Sequence, residues 1–399
     1  MSRTPLFLLL GMASLAFAQN AFALSPLSPL ASAASASTSP VQVVYAVEGT
    51  TIVTYDVDPQ TLIATQVGTP LTVPQAATLA GLIPVPHGRF LYVVAYDTNF
   101  NEHLSVYATD ETGAPESPAT QQMNATGFYG LVVDPLADFA YTIFESTPAG
   151  SYYTTYVIRR YMVDAVTGAL SNPEVEAKYV LDDGAEGTTD CYLQLLGFNP
   201  TATALYDVVS CIGHDGESGT YNEHSLNPQT GALGPDVEIY SWSNQDGYQN
   251  VQFVGNLMFV FASPNDFQQG FNTVDVYPLQ PNTSQPLVQC TESMLEACGY
   301  TGGVVHPSGK YIFMAITADS TQIDRVELSQ QNIVDTGNYI PYPFSQFSPD
   351  GTLAYAFSNI SGYEQIEIYG FDAVTGSVTP GEGVYVPSNF VGFYVAERD

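Results

Sequence analysis

Val304-Val305-His306-Pro307-Ser308-Gly309-Lys310-Tyr311 is one instance of a phrase that returns along this chain: an apolar run, a Pro, a Gly or small polar residue, then an aromatic-rich apolar run. It recurs at Leu82-Ile83-Pro84-Val85-Pro86-His87-Gly88-Arg89-Phe90-Leu91-Tyr92. It recurs again from Leu131 through Asp134-Pro135 to Tyr141, from Phe198-Asn199-Pro200 to Tyr206, and from Phe347-Ser348-Pro349-Asp350-Gly351 to Tyr355. Proline inside a paired strand deletes a ladder hydrogen bond, so Pro86, Pro135, Pro200, Pro307 and Pro349 belong at strand ends or turns. Gly88, Gly309 and Gly351 then supply positive φ, and the phrase is strand, tight turn, strand.

A second phrase follows several of these units. It appears as Asp110-Glu111-Thr112-Gly113, Asp164-Ala165-Val166-Thr167-Gly168, Asn227-Pro228-Gln229-Thr230-Gly231 and Asp372-Ala373-Val374-Thr375-Gly376. An Asp or Asn that bonds its own turn backbone, then a Gly able to sit in the left-handed region, is hairpin chemistry with a small bulge. Each unit is therefore predicted to hold four antiparallel strands. The anchoring prolines lie 49, 65, 107 and 42 residues apart; the interval of 107 fits two units, with the missing anchor at Phe253-Val254-Gly255-Asn256-Leu257-Met258-Phe259. Six units then start near residues 82, 130, 195, 251, 303 and 346. A seventh is split: residues 43–66 lack a first strand, and Gly392-Phe393-Tyr394-Val395-Ala396 match the first-strand pattern of Gly81-Leu82-Ile83 and Gly130-Leu131-Val132. Pairing of the C-terminal strand into the N-terminal unit closes a ring and removes the free edges of an open array. The fold class is all-β, a seven-bladed β-propeller over residues 41–399 with about 51 residues per blade.

Composition agrees, with 27 Tyr, 45% apolar residues and no sustained helical periodicity. Ahead of the ring, Arg3, the apolar run at 6–17 and the small-x-small patterns Ala16-Phe17-Ala18 and Ala21-Phe22-Ala23 form a secretory signal peptide over residues 1–23. Residues 24–40, rich in Ser, Pro and Ala, form a flexible linker. The apolar run is too short for a permanent membrane span. The mature chain is thus expected to be exported, periplasmic or extracellular, where disulfides persist. Acidic residues outnumber basic ones 40 to 8; such a surface repels nucleic acid and anionic membranes and suits a mildly acidic medium.

The repeat also pairs the cysteines. Cys191 opens the first strand of the fourth blade and Cys211 ends its second, so the two face each other across the turn. Cys290 and Cys298 bracket a short insertion between blades and pair locally. The loop 182–190 and the loop 213–217 leave the same blade on one common face, and bring Asp182, Asp183, Glu186, Asp190, Asp215 and Glu217 toward the first disulfide. These are candidate oxygen ligands for a hard cation such as Ca²⁺, the alternative being a solvated acidic rim. His87 and His306 are read as exposed turn residues, and Arg159-Arg160 as part of an outer sheet face.

Through His306-Pro307-Ser308-Gly309-Lys310-Tyr311, Ser348-Pro349-Asp350-Gly351 and Tyr369-Gly370-Phe371-Asp372-Ala373-Val374-Thr375-Gly376, residues 41–399 resemble the seven-bladed propellers of the lactonase and YVTN-repeat type, the group of propeller 6-phosphogluconolactonase. The resemblance implies lactone hydrolysis by a His-bearing segment, a Glu and Arg residues facing the central channel. Gly127-Phe128-Tyr129-Gly130-Leu131-Val132-Val133-Asp134 stands at the matching place without a His, so the catalytic motif is not retained; Glu145 is the one position resembling a family acid. The expectation is a monomeric, non-catalytic binding or scaffolding protein that meets a protein or glycan through loops of one face. The alternatives are a lactonase-like hydrolase of a small lactone or sugar-derived ester, and a glycan-binding propeller.

Overall fold

The computed structural model describes residues 41–399 apart from 86–88, 125–127, 149–150, 152, 183–188, 200, 214–215, 243–248, 263–272, 280–285, 290–302, 318–319, 343, 361–362, 388 and 399. The predicted signal peptide and linker lie outside the described residues. Seven antiparallel sheets follow one another along the chain, each with at least four strands. Blade 1 has the order Phe390–Arg398, Val41–Glu48, Thr51–Asp58, Ile63–Thr72, with the C-terminal strand innermost. The register runs from Val41 opposite Arg398 to Glu48 opposite Phe390, which is the closure expected from the split repeat. Blades 2 to 7 begin at Thr78–Pro84, Phe128–Val133, Thr189–Phe198, Gln249–Val254, Gly303–Val305 and Phe344–Phe347. In blade 7 the outermost strand comes in two pieces, Ser377–Pro380 and Val384–Val386, both paired to Tyr363–Asp372.

The core is distributed. Seven apolar clusters form, one at each junction between consecutive blades, and the cluster of Val44, Ala46 and Val395 with Leu353, Tyr355 and Ile366 joins blade 7 to blade 1. A ring in which each blade buries both faces against its neighbours needs no central core.

Both repeated phrases acquire a structural reason. In blades 3 and 7 the residue before the turn proline caps the turn: Asp134 Oδ1 accepts from the amides of Asp138 and Phe139, and Ser348 Oγ accepts from that of Leu353. Asn199 Oδ1 likewise accepts from Thr203 and Ala204. The tyrosine that follows the turn is buried in six blades and points at the next one. Tyr45, Tyr92 and Tyr141 donate to the carbonyls of Gly113, Gly168 and Gly231, each the glycine ending the next blade's second phrase. Tyr311 donates to Val374 within the corresponding turn of blade 7. Gly168 has φ +69°, and a Cβ there would lie 2.6 Å from the Phe90 ring, so glycine is demanded both by the turn and by the close approach of blade 2.

Two expectations are corrected. His306 is buried, not an exposed turn residue: as the pre-proline cap it turns inward between blades 6 and 7, with Nε2 2.8 Å from the Gly351 carbonyl oxygen and its ring against Phe347 and Phe371. Arg160 is not on an outer face either. By regular alternation it shares the buried face of Thr154, Tyr156 and Ile158 that meets blade 4; there it pairs with Glu174 and Glu176 of its own blade and donates to the Thr230 carbonyl of blade 4. His87 lies outside the described residues.

Candidate functional site

In blades 3 and 4, the loops between second and third strands and the connections to the next blade emerge on the same side of the ring. The two blades carry long outer hairpins there: Tyr153–Val163 with Leu170–Asp182 in blade 3, and Gly216–Leu226 with Leu233–Trp242 in blade 4. Cys191 and Cys211 are directly opposite in the ladder, 4.0 Å apart at Cα, and joined as a disulfide. One row above, Asp190 is opposite Ile212 and Ile212 opposite Glu217, which sets the positions of the two acids two strands apart, about 10 Å. Asp182 ends the outermost strand of blade 3 opposite Tyr153. The register thus sets Asp190 and Glu217 in the row next to the disulfide. Asp183, Glu186, Asp215, Cys290 and Cys298 lie outside the described residues.

Beneath that rim is a polar cluster that motif reading missed. Asp207, Asn222 and His224 are buried on the face of blade 4 that meets blade 3. Asp207 accepts from Asn222 Nδ2 at 2.8 Å, from the Tyr179 hydroxyl of blade 3 at 3.0 Å, and from His224 Nε2 at 2.7 Å. His224 Nδ1 faces the Gly234 carbonyl oxygen at 3.2 Å. Acceptors at both ring nitrogens require the doubly protonated imidazolium. Burial by itself lowers the His224 pKa, but the hydrogen bond and charge of Asp207, with Gly234 and Asp236, outweigh it and raise the pKa above its ordinary value. A signal was available: the residue after the repeat tyrosine is Ala46, Val93, Ile312 and Ala356 in other blades, and only in blade 4 is it an Asp.

Between its two ends the inner wall is mostly uncharged. Gln252 spans blades 5 and 6 by donating to the Gly303 carbonyl at 2.8 Å and accepting from Val305 at 2.8 Å. Gln346 donates to the Phe393 carbonyl at 3.0 Å, linking blade 7 to blade 1. Glu145 is not on that wall. It lies on the second strand of blade 3, opposite Tyr156, half-buried and in contact with other groups. Among the described residues no three His, Cys, Asp or Glu side chains come together as a metal-binding group. No helix among them is long and apolar enough to cross a membrane.

No protein-family model matches the chain, and no curated protein matches it. Solved structures do. A proposed 6-phosphogluconolactonase of Bacteroides fragilis aligns at TM-score 0.56 and 16% identity over 91% of this chain and 100% of that one. A second, from Bacteroides uniformis, aligns at TM-score 0.55 and 17% identity over 90% and 99%. The periplasmic gluconolactonase of Pseudomonas aeruginosa aligns at TM-score 0.55 and 13% identity over 90% and 99%. Likeness at such identities speaks for a shared lactonase-type propeller fold; activity is argued from the site.

Proposed function

We propose that the protein is an exported propeller that binds or scaffolds a partner through the loop face above blades 3 and 4. The supporting observation is the make-up of the seven innermost strands. They hold no His and no Lys; their charged residues are Asp190, at the rim, and Glu397 and Arg398 at the opposite end, where Arg398 is engaged by the Glu111 carbonyl. General acid–base opening of a lactone needs a proton donor and acceptor converging on one carbonyl, and these strands offer no such pair. The Cys191–Cys211 disulfide supports an oxidising compartment. The lactonase alternative draws on the names of the structural relatives and on Glu145.

Hydrolysis measured across neutral and phosphorylated sugar lactones is expected to stay at the uncatalysed rate. Turnover above that rate and lost in Glu145→Gln would move the protein to the hydrolases. N-terminal sequencing of the secreted protein is expected to start at Gln19 or Leu24; recovery of the intact leader in the mature chain would count against export.

A further inference from the structure

Blade 3 stands higher than the blade beside it. The third strand of blade 2, Glu102–Ala108, has 7 residues, and that of blade 3, Tyr153–Val163, has 11. Both enter equivalent turns, since Tyr45 and Tyr92 reach the corresponding glycines 113 and 168. Ala108 opposite Phe90 and Met162 opposite Phe139 are equivalent positions, so three of the four extra residues lie at the far end, on the loop face, and lift the blade 3 hairpin by about 10 Å. The fourth strand of blade 2 is only Gln121–Asn124, against 13 residues in blade 3. The blade 2 side of that hairpin is consequently left bare, with Tyr153 55%, Val175 66% and Val180 58% exposed.

Two cations sit on this bare side. The register puts Phe144, Val157 and Lys178 in one row and Thr142, Arg159 and Val175 in the next. Arg159 stacks on Phe144, its guanidinium carbon 4.0 Å from the ring centroid. Among the described residues neither Arg159 nor Lys178 forms an ion pair, although acids outnumber bases five to one in this chain. Glu174 is taken by Arg160. Glu102, facing the same side from blade 2, has its acid pushed up to about 7 by burial, so it opposes an incoming anion weakly at or below neutrality. The strand beside the cations is an edge. Pro173 and the register shifts spoil its lower half for pairing, but Ala177–Asp182 runs in regular register with Tyr153–Ile158.

We propose that this wall binds an extended acidic peptide, which adds as a strand to the free edge of Ala177–Asp182 and sets its carboxylates against Lys178 and Arg159. Alternation along such a peptide would bring every second side chain to the bare side, where Val175, Val180 and Tyr153 take its apolar residues. Over the whole chain acids outnumber bases five to one and repel anions, so two cations beside one apolar wall also favour where the peptide lands. The inference rests on the binding reading above and names its partner.

The probe is a labelled octapeptide, Asp-Thr-Val-Thr-Asp-Thr-Val-Thr, whose every second residue is by turns an acid and a Val, titrated into the full mature chain by fluorescence anisotropy. Saturable binding is expected, weakened by raising NaCl from about 50 to about 500 mM. Lys178→Gln and Arg159→Gln should each weaken it about tenfold, the loss of one charge-assisted contact. Lys178 is exposed and, among the described residues, without an ion pair, so its replacement leaves the fold intact, and the thermal midpoint of each variant verifies this. Full N-methylation of the peptide should abolish binding; equal binding of that form would refute strand addition. Binding of an oligogalacturonate in place of the peptide, or affinity untouched by both substitutions, would overturn the proposal. Lactone turnover would overturn the binding reading while leaving a positive peptide result standing, so the two failures are distinct.

Discussion

His224 is held as a cation by geometry, with a carboxylate at one ring nitrogen and a carbonyl at the other. A pKa raised in the folded state means stability that is complete below the unfolded value of about 6.5 and is lost as pH rises through the raised one. The thermal midpoint is expected to fall over that alkaline window in the wild type and to lose this component in His224→Gln. An unchanged slope in the variant would return His224 to the neutral form. His306 acts in the opposite sense: burial lowers it to about 4, so its contribution is present above about 6.5 and lost as pH falls toward 4. Asp324 joins the first group. It is fully buried, its Oδ1 accepts from Gln322 at 2.7 Å, its Oδ2 has no hydrogen-bond partner among the described residues, and burial raises it to about 7. Ionising it in place costs stability as pH climbs from about 4 through 7. Asp324→Asn should therefore raise the thermal midpoint at pH 8 and leave it nearly unchanged at pH 4; a loss at pH 8 would show that the carboxylate is stabilised by a partner. Asp207 was legible as the odd member of its repeat column, whereas the inward turn of His306 was not, because a pre-proline cap and an exposed turn residue look alike in one dimension.

The blades are joined by a repeated contact, tyrosine of one to the second-phrase turn of the next, and a blade that makes it compared with one that does not tests its worth. Tyr92 donates to the Gly168 carbonyl at 2.7 Å, both groups being shielded from water. Tyr355 occupies the same position in blade 7, but blade 1 offers Asp58-Pro59-Gln60-Thr61-Leu62, with Leu62 taking positive φ in place of glycine, and the Tyr355 hydroxyl has no partner among the described residues. Tyr92→Phe should cost about 1–2 kcal/mol by stranding a carbonyl, while Tyr355→Phe should be neutral or slightly stabilising. Chemical denaturation of both variants measures the difference, and equal losses would mean that ring packing, not the hydroxyl, carries the contact. Strand pairs, turns and the Cys191–Cys211 register were legible because Pro, Gly, Asp and Asn are selected at single turn positions. The contact between blades was not, since it joins residues 68 to 90 positions apart whose partners are backbone carbonyls without a sequence signature. Arg160 was missed for another reason: it is buried by plain alternation with Tyr156 and Ile158, but an Arg pair in a strand reads as a solvated face by residue type alone.

At the scale of the ring, closure rests on one strand. Phe390–Arg398 pairs with Val41–Glu48, and the carbonyl of its Phe393 accepts from Gln346 of blade 7. Its Phe393 and Val395 pack toward blade 7 and its Ala396 toward blade 2. Removing it would therefore do more than trim an end. It would expose the inner edge of Val41–Glu48, uncover Val44 and Ala46, and leave two clusters open, whereas an array of blades without closure presents just the edges and apolar faces that drive association. Deleting residues 390–399 is expected to yield a chain that aggregates or unfolds at a markedly lower temperature. Supplying a synthetic peptide of that sequence should recover part of the loss, because a ligand that binds only the folded ring stabilises it by mass action. Size-exclusion chromatography and thermal unfolding with and without the peptide measure both effects. A truncated chain that stays monomeric with an unchanged midpoint would show that six complete blades and an incomplete seventh suffice, and that the C-terminal strand is an ornament of the ring rather than its clasp.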